Sequence, residues 1–187
     1  MLQRVEARYN HLKTLRLHFE QVYKQNERVV REESGILFLR KPGQMRWEYQ
    51  VPEEKLFLSK GRQLTLYLPQ ENRVTQTEVK NSDDLRSPIR FLLGGLRFKK
   101  EFENIERIGD SAPEGGIVIK ALPKRMKEIL EWVVLEIGPE YQIRKIILKE
   151  LTGTQTEFHF KDEVVNLQLS QELFKFQPPE GAEIVRQ

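Results

Sequence analysis

The chain has 187 residues, and its 31 Lys and Arg against 28 Asp and Glu leave a formal net charge of only +3. Aromatic residues make up 9% of the sequence and apolar residues 39%, which excludes a disordered chain and suits a single folded domain over residues 1–187. Because there is no Cys, disulfide frameworks, thiolate nucleophiles and thiolate zinc sites are excluded.

The N-terminal residues predict a short amphipathic helix followed by a strand. Within the first twelve residues, apolar side chains recur at helical intervals at Leu2, Val5, Tyr9 and Leu12. From Leu15 onward the apolar period changes to two, which is typical of a half-buried strand. This start has no apolar central segment and is therefore not an export signal, so either the protein stays inside or a signal has been removed.

The middle and end of the chain predict an antiparallel sheet of about ten strands. Alternating apolar residues return in short segments, and turn residues separate them at 25–26, 41–43, 60–61, 69–72, 115–116 and 138–139. The segments 36–39 and 56–58 are apolar at consecutive positions, so both faces of the sheet must avoid water there. The few helical segments cannot cover so much sheet, and we therefore expect a strongly curved sheet that encloses apolar space.

One segment, residues 87–95, interrupts the strand pattern. Ser87 and Pro88 have the order of a helix cap and a first helical residue, and two Gly follow the last apolar residue. The simplest interpretation is a short helix that covers the core. The alternative is a hinged apolar lid, in which the two Gly supply flexibility.

The sequence contains no recognisable catalytic or metal-binding pattern. Its three His, at positions 11, 18 and 159, form no HExxH or HxH pattern, and no GxGxxG, phosphate-binding loop or nucleophile-elbow motif occurs. The acid pairs 32–33, 53–54 and 83–84 fall in polar stretches that are typical of solvated loops. We therefore expect no enzyme activity, no cofactor and no metal.

A second hypothesis is nucleic-acid binding through the segment 40–49. This segment mixes bases with aromatics, including Arg40, Lys41, Arg46 and Trp47, which suits phosphate contact and base stacking. However, Glu48, Glu53 and Glu54 follow closely, and no RNA-binding signature is present. We therefore expect no nucleic-acid partner; binding to nucleic acid would instead appear as affinity for single strands that falls steeply with salt.

The same segment carries a resemblance to a known family. Gly35 and the apolar strand 36–39, the corner Lys41-Pro42 and the strand Met45-Arg46-Trp47-Glu48-Tyr49 resemble the hairpin of LolA, the periplasmic carrier of lipoproteins to the outer membrane. Upstream, Phe19-Glu20-Gln21 is similar to the family's Phe-x-Gln. Downstream, Ser87-Pro88 opens the segment of the family's lid helix, and 174–181 resembles its C-terminal Phe-x-Phe-x-Pro-Pro-x-Gly.

The resemblance implies an unclosed β-barrel with short helices as a lid over an apolar cavity. In this family the cavity shields lipoprotein acyl chains, which arrive from an inner-membrane ABC lipoprotein-releasing transporter and pass to an outer-membrane lipoprotein acceptor. It also implies a monomer in the periplasm, after removal of a signal peptide. A related fold serves lipid- or lipoprotein-sensing domains that regulate envelope stress, and this sensor is the alternative function.

On this resemblance we expect one set of residues to line the cavity and one to latch the lid. Odd positions of the hairpin alternate to one face. The expected cavity residues are Tyr9, Leu17, Phe19, Leu37, Leu39, Met45, Trp47, Ile89, Leu92 and Leu93. The latch position is Lys41, where the family usually has Arg; a lysine offers a point charge in place of a planar fork. Met45 stands where the family has Phe, and its flexible side chain suits irregular acyl chains.

Overall fold

In a computed structural model, the protein is described at residues 1–78, 96–110 and 115–187. These residues form many strands and few helical segments. The helices are α1 (Leu2–His11) and α2 (Phe98–Glu101), and short 3₁₀ turns span Pro69–Glu71 and Glu172–Phe174. The strands are β1 (Thr14–Gln25), β2 (Arg28–Arg40), β3 (Gln44–Val51), β4 (Lys55–Lys60), β5 (Gln63–Leu68), β6 (Arg73–Glu78), β7 (Phe102–Gly109), β8 (Ile117–Pro123), β9 (Leu130–Ile137), β10 (Ile143–Glu150), β11 (Thr154–Val165) and β12 (Glu183–Arg186).

All the described strands belong to one sheet, in the order β12-β6-β5-β4-β3-β2-β1-β11-β10-β9-β8-β7. The two edge strands, β12 and β7, do not pair with each other among the described residues, so the sheet is not closed. The predicted fold class, mainly β with an unclosed antiparallel sheet and short helices, is confirmed. The pairing of β12 with β6 is parallel, which the sequence pattern did not indicate. Within the described residues, no helix combines the length and apolar character needed to cross a membrane.

The chain separates into two compact units, each built from several segments. Unit 1 consists of Met1–His11, Phe19–Glu32 and Gly95–Lys161. Unit 2 consists of Leu12–His18, Glu33–Gly94 and Asp162–Gln187.

Unit 1 has an apolar sheet face that follows from strand alternation. Ile146 of β10 pairs with Phe158 of β11 and with Leu135 of β9, and Leu135 in turn pairs with Ile119 of β8. Directly paired residues point to the same face of a sheet. All four side chains are at most 5% exposed, so this face forms the core of unit 1.

Helix α1 is held to unit 1 by hydrogen bonds as well as by apolar contact. The predicted amphipathic helix is confirmed, with Val5 and Tyr9 buried. The carboxylate of Glu6 accepts a hydrogen bond from the backbone N–H of Phe98 at 2.6 Å. The side-chain amide of Asn10 donates to the carbonyl of Leu96 at 2.9 Å.

Unit 2 buries residues on both faces of its strands. On one face lie Leu37 and Leu39 of β2, both fully buried. On the other, Leu58 of β4 is 4% exposed and Val74 of β6 is fully buried. The C-terminal segment contributes to unit 2 through Phe174, which is 2% exposed. Within 36–39 and 56–58, Leu37, Leu39 and Leu58 are buried, but the other apolar residues are only half-buried, so the expectation that both faces avoid water there is met only in part.

Candidate functional site

The candidate site in unit 2 is an apolar face on neighbouring strands. Leu37 of β2 pairs with Trp47 of β3, and Leu39 pairs with Met45, so these four side chains share one face. Leu37, Leu39 and Met45 are fully buried, and Trp47 is 4% exposed. Leu17, on the adjacent strand β1, is 1% exposed. The structure therefore brings four of the expected cavity residues together on one face and buries Leu17 on the next strand.

Two of the expected cavity residues belong to unit 1. Phe19 of β1 and Tyr9 of α1 are each 1% exposed. The Tyr9 hydroxyl accepts a hydrogen bond from the backbone N–H of Ile143 at 2.8 Å. Tyr9 therefore has a defined structural role that attaches α1 to the start of β10. Its contact with an acyl chain stays a prediction.

The remaining expected cavity residues, Ile89, Leu92 and Leu93, lie outside the described residues, as does the predicted helix over 87–95. Their roles and that of the lid stay predictions.

Lys41 follows the end of β2, at the corner that leads into β3. Its backbone N–H donates to the carbonyl of Lys13 at 2.9 Å, which ties the corner to the residue before β1. Burial lowers the pKa of the Lys41 ammonium from its ordinary value. The side chain is thus partly withdrawn from water, although its role as a lid latch stays a prediction.

A polar group that the sequence analysis missed lies on unit 2 beside the apolar face. The Glu33 side chain is only 2% exposed, and its Oε1 accepts a hydrogen bond from Lys55 Nζ at 2.5 Å. Lys55 Nζ also lies 4.1 Å from the centroid of the Tyr49 ring, which stacks with Trp47 at 6.1 Å between centroids. The expectation that Glu33 lies in a solvated loop is wrong. Glu33 continues the alternation of buried residues in β2 that runs through Leu39, Leu37 and Gly35. This alternation could have predicted that its side chain is buried.

Unit 1 carries a second buried carboxylate, Glu157 of β11, with a side chain 6% exposed. Burial alone would raise its pKa, but hydrogen bonds from Lys24 and Lys145 outweigh burial and lower the pKa of Glu157 to about 2. Lys145 Nζ lies 2.9 Å from the carboxylate, and the amide of Gln155 donates to it at 2.8 Å. Glu157 is therefore ionised, and its ion pairs connect β11 to Lys24 of β1 and Lys145 of β10.

The described residues contain no group of three or more His, Cys, Asp and Glu arranged to hold a metal ion. Instead, His18 Nδ1 lies 3.0 Å from the carboxylate of Asp162, and His159 Nε2 lies 3.3 Å from that of Glu157. Trp47, which the nucleic-acid hypothesis needs for base stacking, is buried, and Arg46 binds the carboxylate of Glu48. The geometry therefore favours apolar binding over base stacking at this segment.

Comparison with known proteins identifies the family. A family model described as "Outer membrane lipoprotein carrier protein LolA" matches residues 10–177. The chain belongs to the LolA family. It is 31% identical over 177 residues to an outer-membrane lipoprotein carrier protein of Nitrosospira multiformis, covering 92% of this chain and 82% of the relative. It is 27% identical over 176 residues to the protein of the same name from Nitrosomonas europaea, with the same coverage of both chains.

Solved structures share the fold of this LolA-family chain at low sequence identity. An uncharacterised conserved protein of Thermus thermophilus matches with a TM-score of 0.65 and 13% identity, covering 100% of this chain and 96% of that one. A LolA superfamily protein of Nitrosomonas europaea matches with a TM-score of 0.52 and 10% identity, covering 94% and 96%. MucB of Pseudomonas aeruginosa, solved in complex with MucA, matches with a TM-score of 0.55 and 12% identity, covering 94% and 59%.

Family membership supports lipoprotein binding as the activity of this LolA-family chain, and it indicates no catalytic function. The resemblance stated from the hairpin and C-terminal motifs is thus confirmed.

Proposed function

We propose that this protein is a non-enzymatic periplasmic carrier that shields lipoprotein acyl chains in an apolar cavity and delivers them toward the outer membrane. The observation that carries the proposal is the apolar face of unit 2 in a LolA-family chain. Leu37, Leu39, Met45 and Trp47 share one buried face, on which the indole N–H of Trp47 is the single polar group of these four side chains. Tyr9, Leu17, Phe19, Ile89, Leu92 and Leu93 complete the proposed lining.

The energetics of acyl chains fit a carrier that encloses its cargo only in part. Burying one methylene contributes about 0.8 kcal/mol, so a single chain of about 16 carbons contributes about 12 kcal/mol if fully enclosed. Several chains would exceed the limit of roughly 20 kcal/mol that non-covalent binding reaches. Opening a lid that is stable when closed would offset part of this gain and would permit release.

Release requires partners on both sides of the periplasm. In the proposal, cargo comes from an inner-membrane ABC lipoprotein-releasing transporter and passes to an outer-membrane lipoprotein acceptor. The carrier names of the relatives support lipoproteins as the cargo. We propose that the carrier acts as a monomer without a cofactor.

The test is a transfer assay with matched cargoes. An acylated lipopeptide and the same peptide without acyl chains are each incubated with the protein, and the bound fraction is measured by gel filtration. We expect only the acylated peptide to co-elute with the protein. When an acceptor protein is added, this peptide should move to the acceptor. Equal binding of the two peptides would overturn the proposal.

Lys41 is proposed as the lid latch. Lys41→Leu removes the charge and keeps an apolar stem, so we expect weaker lid closure or slower release in the transfer assay. Arg62→Leu is the control, because Arg62 is an exposed cation of the neighbouring β4–β5 turn. If the Lys41 variant binds and transfers cargo like the unsubstituted protein, Lys41 has no part in the mechanism.

The second candidate is a lipid- or lipoprotein-sensing domain that regulates envelope stress. The likeness to MucB in its complex with MucA fits this candidate at the level of the fold. The same transfer assay separates the two functions, because a sensor binds the acylated peptide without passing it to an acceptor.

A further inference from the structure

Unit 2 contains a pocket of about 720 Å³ at the end of strands β1 and β2. This volume lies within the range of small-molecule sites, roughly 300–1,000 Å³. Its walls come from the start of β1, the corner after β2 and the segment that follows β11. The lining residues are Lys13, Thr14, Arg40, Lys41, Asn166, Leu167, Gln168, Leu169 and Ser170.

Hydrogen bonds tie these three wall segments to one another. Lys13 donates its backbone N–H to the side-chain oxygen of Asn166 at 2.8 Å, and its carbonyl accepts from Lys41 at 2.9 Å. The Thr14 hydroxyl donates to the carbonyl of Leu167 at 2.6 Å. The pocket walls are therefore fixed by the fold, which lowers the ordering cost of binding a ligand.

The pocket is strongly cationic. Three of its described lining residues, Lys13, Arg40 and Lys41, carry positive charge, and none of the described lining residues carries a carboxylate. Burial also disfavours the charge on Lys41 and lowers its pKa, a penalty that a bound anion would relieve.

Arg40 lines this pocket and contributes its guanidinium group. Its Nη1 atom is buried and has no hydrogen-bond partner among the described residues. A buried donor without an acceptor costs free energy, and a guanidinium favours the oxygens of phosphate and carboxylate groups. The leucines at 167 and 169 add apolar wall beside these charges, which suits an organic group attached to the anion.

We propose that this pocket binds a phosphoryl group, with Arg40 donating to its oxygens and Lys13 and Lys41 supplying further positive charge. The group could come from a phospholipid headgroup or from free phosphate, since both present the same oxygens. The site is distinct from the apolar face, although it shares Lys41 with the proposed lid latch, and the proposal does not depend on the carrier function.

The experiment measures binding of inorganic phosphate and of glycerol 3-phosphate to the full chain by calorimetry at constant ionic strength. Neither probe has an acyl chain, so the proposed cavity cannot contribute to the signal. Tighter binding of glycerol 3-phosphate assigns the site to headgroups, and tighter binding of inorganic phosphate assigns it to the free ion. The absence of binding of both probes would overturn the proposal, whatever the transfer assay shows.

Matched variants test the pocket itself. Arg40→Gln should weaken binding by about ten-fold or more, because it removes a charge-assisted hydrogen bond. Arg62→Gln removes the same charge from an exposed position outside the pocket and should change affinity less than about two-fold. Equal weakening by both variants would show non-specific electrostatics and would overturn the proposal.

Two further measurements cover folding and the class of ligand. Circular dichroism shows whether Arg40→Gln folds. If it does not, Lys13→Gln replaces it, because Lys13 is exposed and its substitution should leave the fold intact. Lys13→Gln should weaken phosphate binding measurably. An acidic peptide of Glu residues is the competitor. The peptide and glycerol 3-phosphate are compared by the concentration at which each displaces phosphate. If the peptide displaces phosphate at the lower concentration, the pocket is assigned to acidic protein segments and the phosphoryl assignment is overturned.

Discussion

Glu157 holds its charge on a nearly buried side chain because two lysines bind it. Its pKa of about 2 in the folded protein lies below its ordinary value of 4.5, so its stabilising contribution is full above pH 4.5 and is lost as the pH falls through about 2. We expect Glu157→Gln to lower the free energy of unfolding at pH 7 by roughly 1–3 kcal/mol. Urea denaturation at pH 7 and at pH 2–3 measures the difference, which should shrink in acid.

The control for Glu157 is Glu20→Gln. Glu20 pairs with Lys161 at 2.6 Å, but both side chains are more than half exposed. Exposed ion pairs contribute about 0–1 kcal/mol, so this variant should have a small effect. Equal losses in the two variants would contradict an anchoring role for Glu157.

Gly35 is required by close backbone approach in unit 2. A Cβ atom at this position would lie 1.9 Å from the carbonyl oxygen of Glu48, on the paired strand. We expect Gly35→Ala to destabilise the protein by more than about 2 kcal/mol, because backbone cannot move aside cheaply. Gly109→Ala is the matched control in a strand, since a Cβ there meets no atom of the described residues within 4 Å. Thermal denaturation measures the unfolding midpoint of each variant. Equal midpoints for Gly35→Ala and Gly109→Ala would contradict this prediction.

Single residues show where sequence reasoning succeeds and where it fails. Alternation correctly groups Leu37 and Leu39 with Met45 and Trp47, because strand geometry alone fixes which side chains share a face. The assignment of Glu33 to a solvated acid pair fails, although the same alternation, continued from Leu39 through Gly35, places Glu33 inward. Burial of that carboxylate depends on Lys55, a partner on a different strand that sequence spacing does not reveal.

At the scale of elements, the C-terminal segment before β12 stabilises unit 2 although its regular structure is a single 3₁₀ turn at Glu172–Phe174. The carbonyl of Leu173 accepts a hydrogen bond from Arg46 Nη1 at 3.0 Å, and the ring of Phe176 lies 5.2 Å from that of Tyr67. Arg46 and Tyr67 belong to strands β3 and β5, so the segment crosses one face of the sheet. The sequence identified the Phe-x-Phe motif by resemblance, but its irregular path has no periodicity from which its packing could be predicted.

Phe174 is the buried residue of this segment, at 2% exposure. We expect Phe174→Ala to lower the free energy of unfolding by about 3–5 kcal/mol, because it removes apolar contact and leaves a cavity. Ile184→Ala, on β12, is the control, since Ile184 is 46% exposed and should cost far less. Urea denaturation measures both, and a loss at Phe174 no larger than at Ile184 would show that the segment contributes little.

At the scale of the whole molecule, the sheet order could be predicted only in part. Hairpins such as β2–β3 follow from turn residues and short spacing. The positions of β11 beside β1 and of β12 beside β6 depend on pairing between distant segments, which local patterns do not encode. The family resemblance supplied the fold class because it rests on motifs spread over most of the chain. The assignment to a single domain stays a prediction.

The two tryptophans provide a test of the proposed cargo site, because each unit contains one. Trp47 lies on the apolar face of unit 2, whereas Trp132 of unit 1 pairs with Lys149 and lies 4.9 Å from the Lys120 ammonium. Trp132 thus belongs to the charged face of its strand. If acyl chains bind the proposed face, a lipopeptide with brominated acyl chains should quench the fluorescence of Trp47 strongly and that of Trp132 little.

The measurement uses two variants, each with one tryptophan. Trp132→Phe reports on Trp47, and Trp47→Phe reports on Trp132. Because bromine quenches only at short range, strong quenching in Trp132→Phe and weak quenching in Trp47→Phe would locate the chains against β3. The unbrominated lipopeptide controls for changes in conformation. Equal quenching of the two tryptophans, or stronger quenching of Trp132, would contradict the proposed lining even if the lipopeptide binds, because the chains would then lie elsewhere.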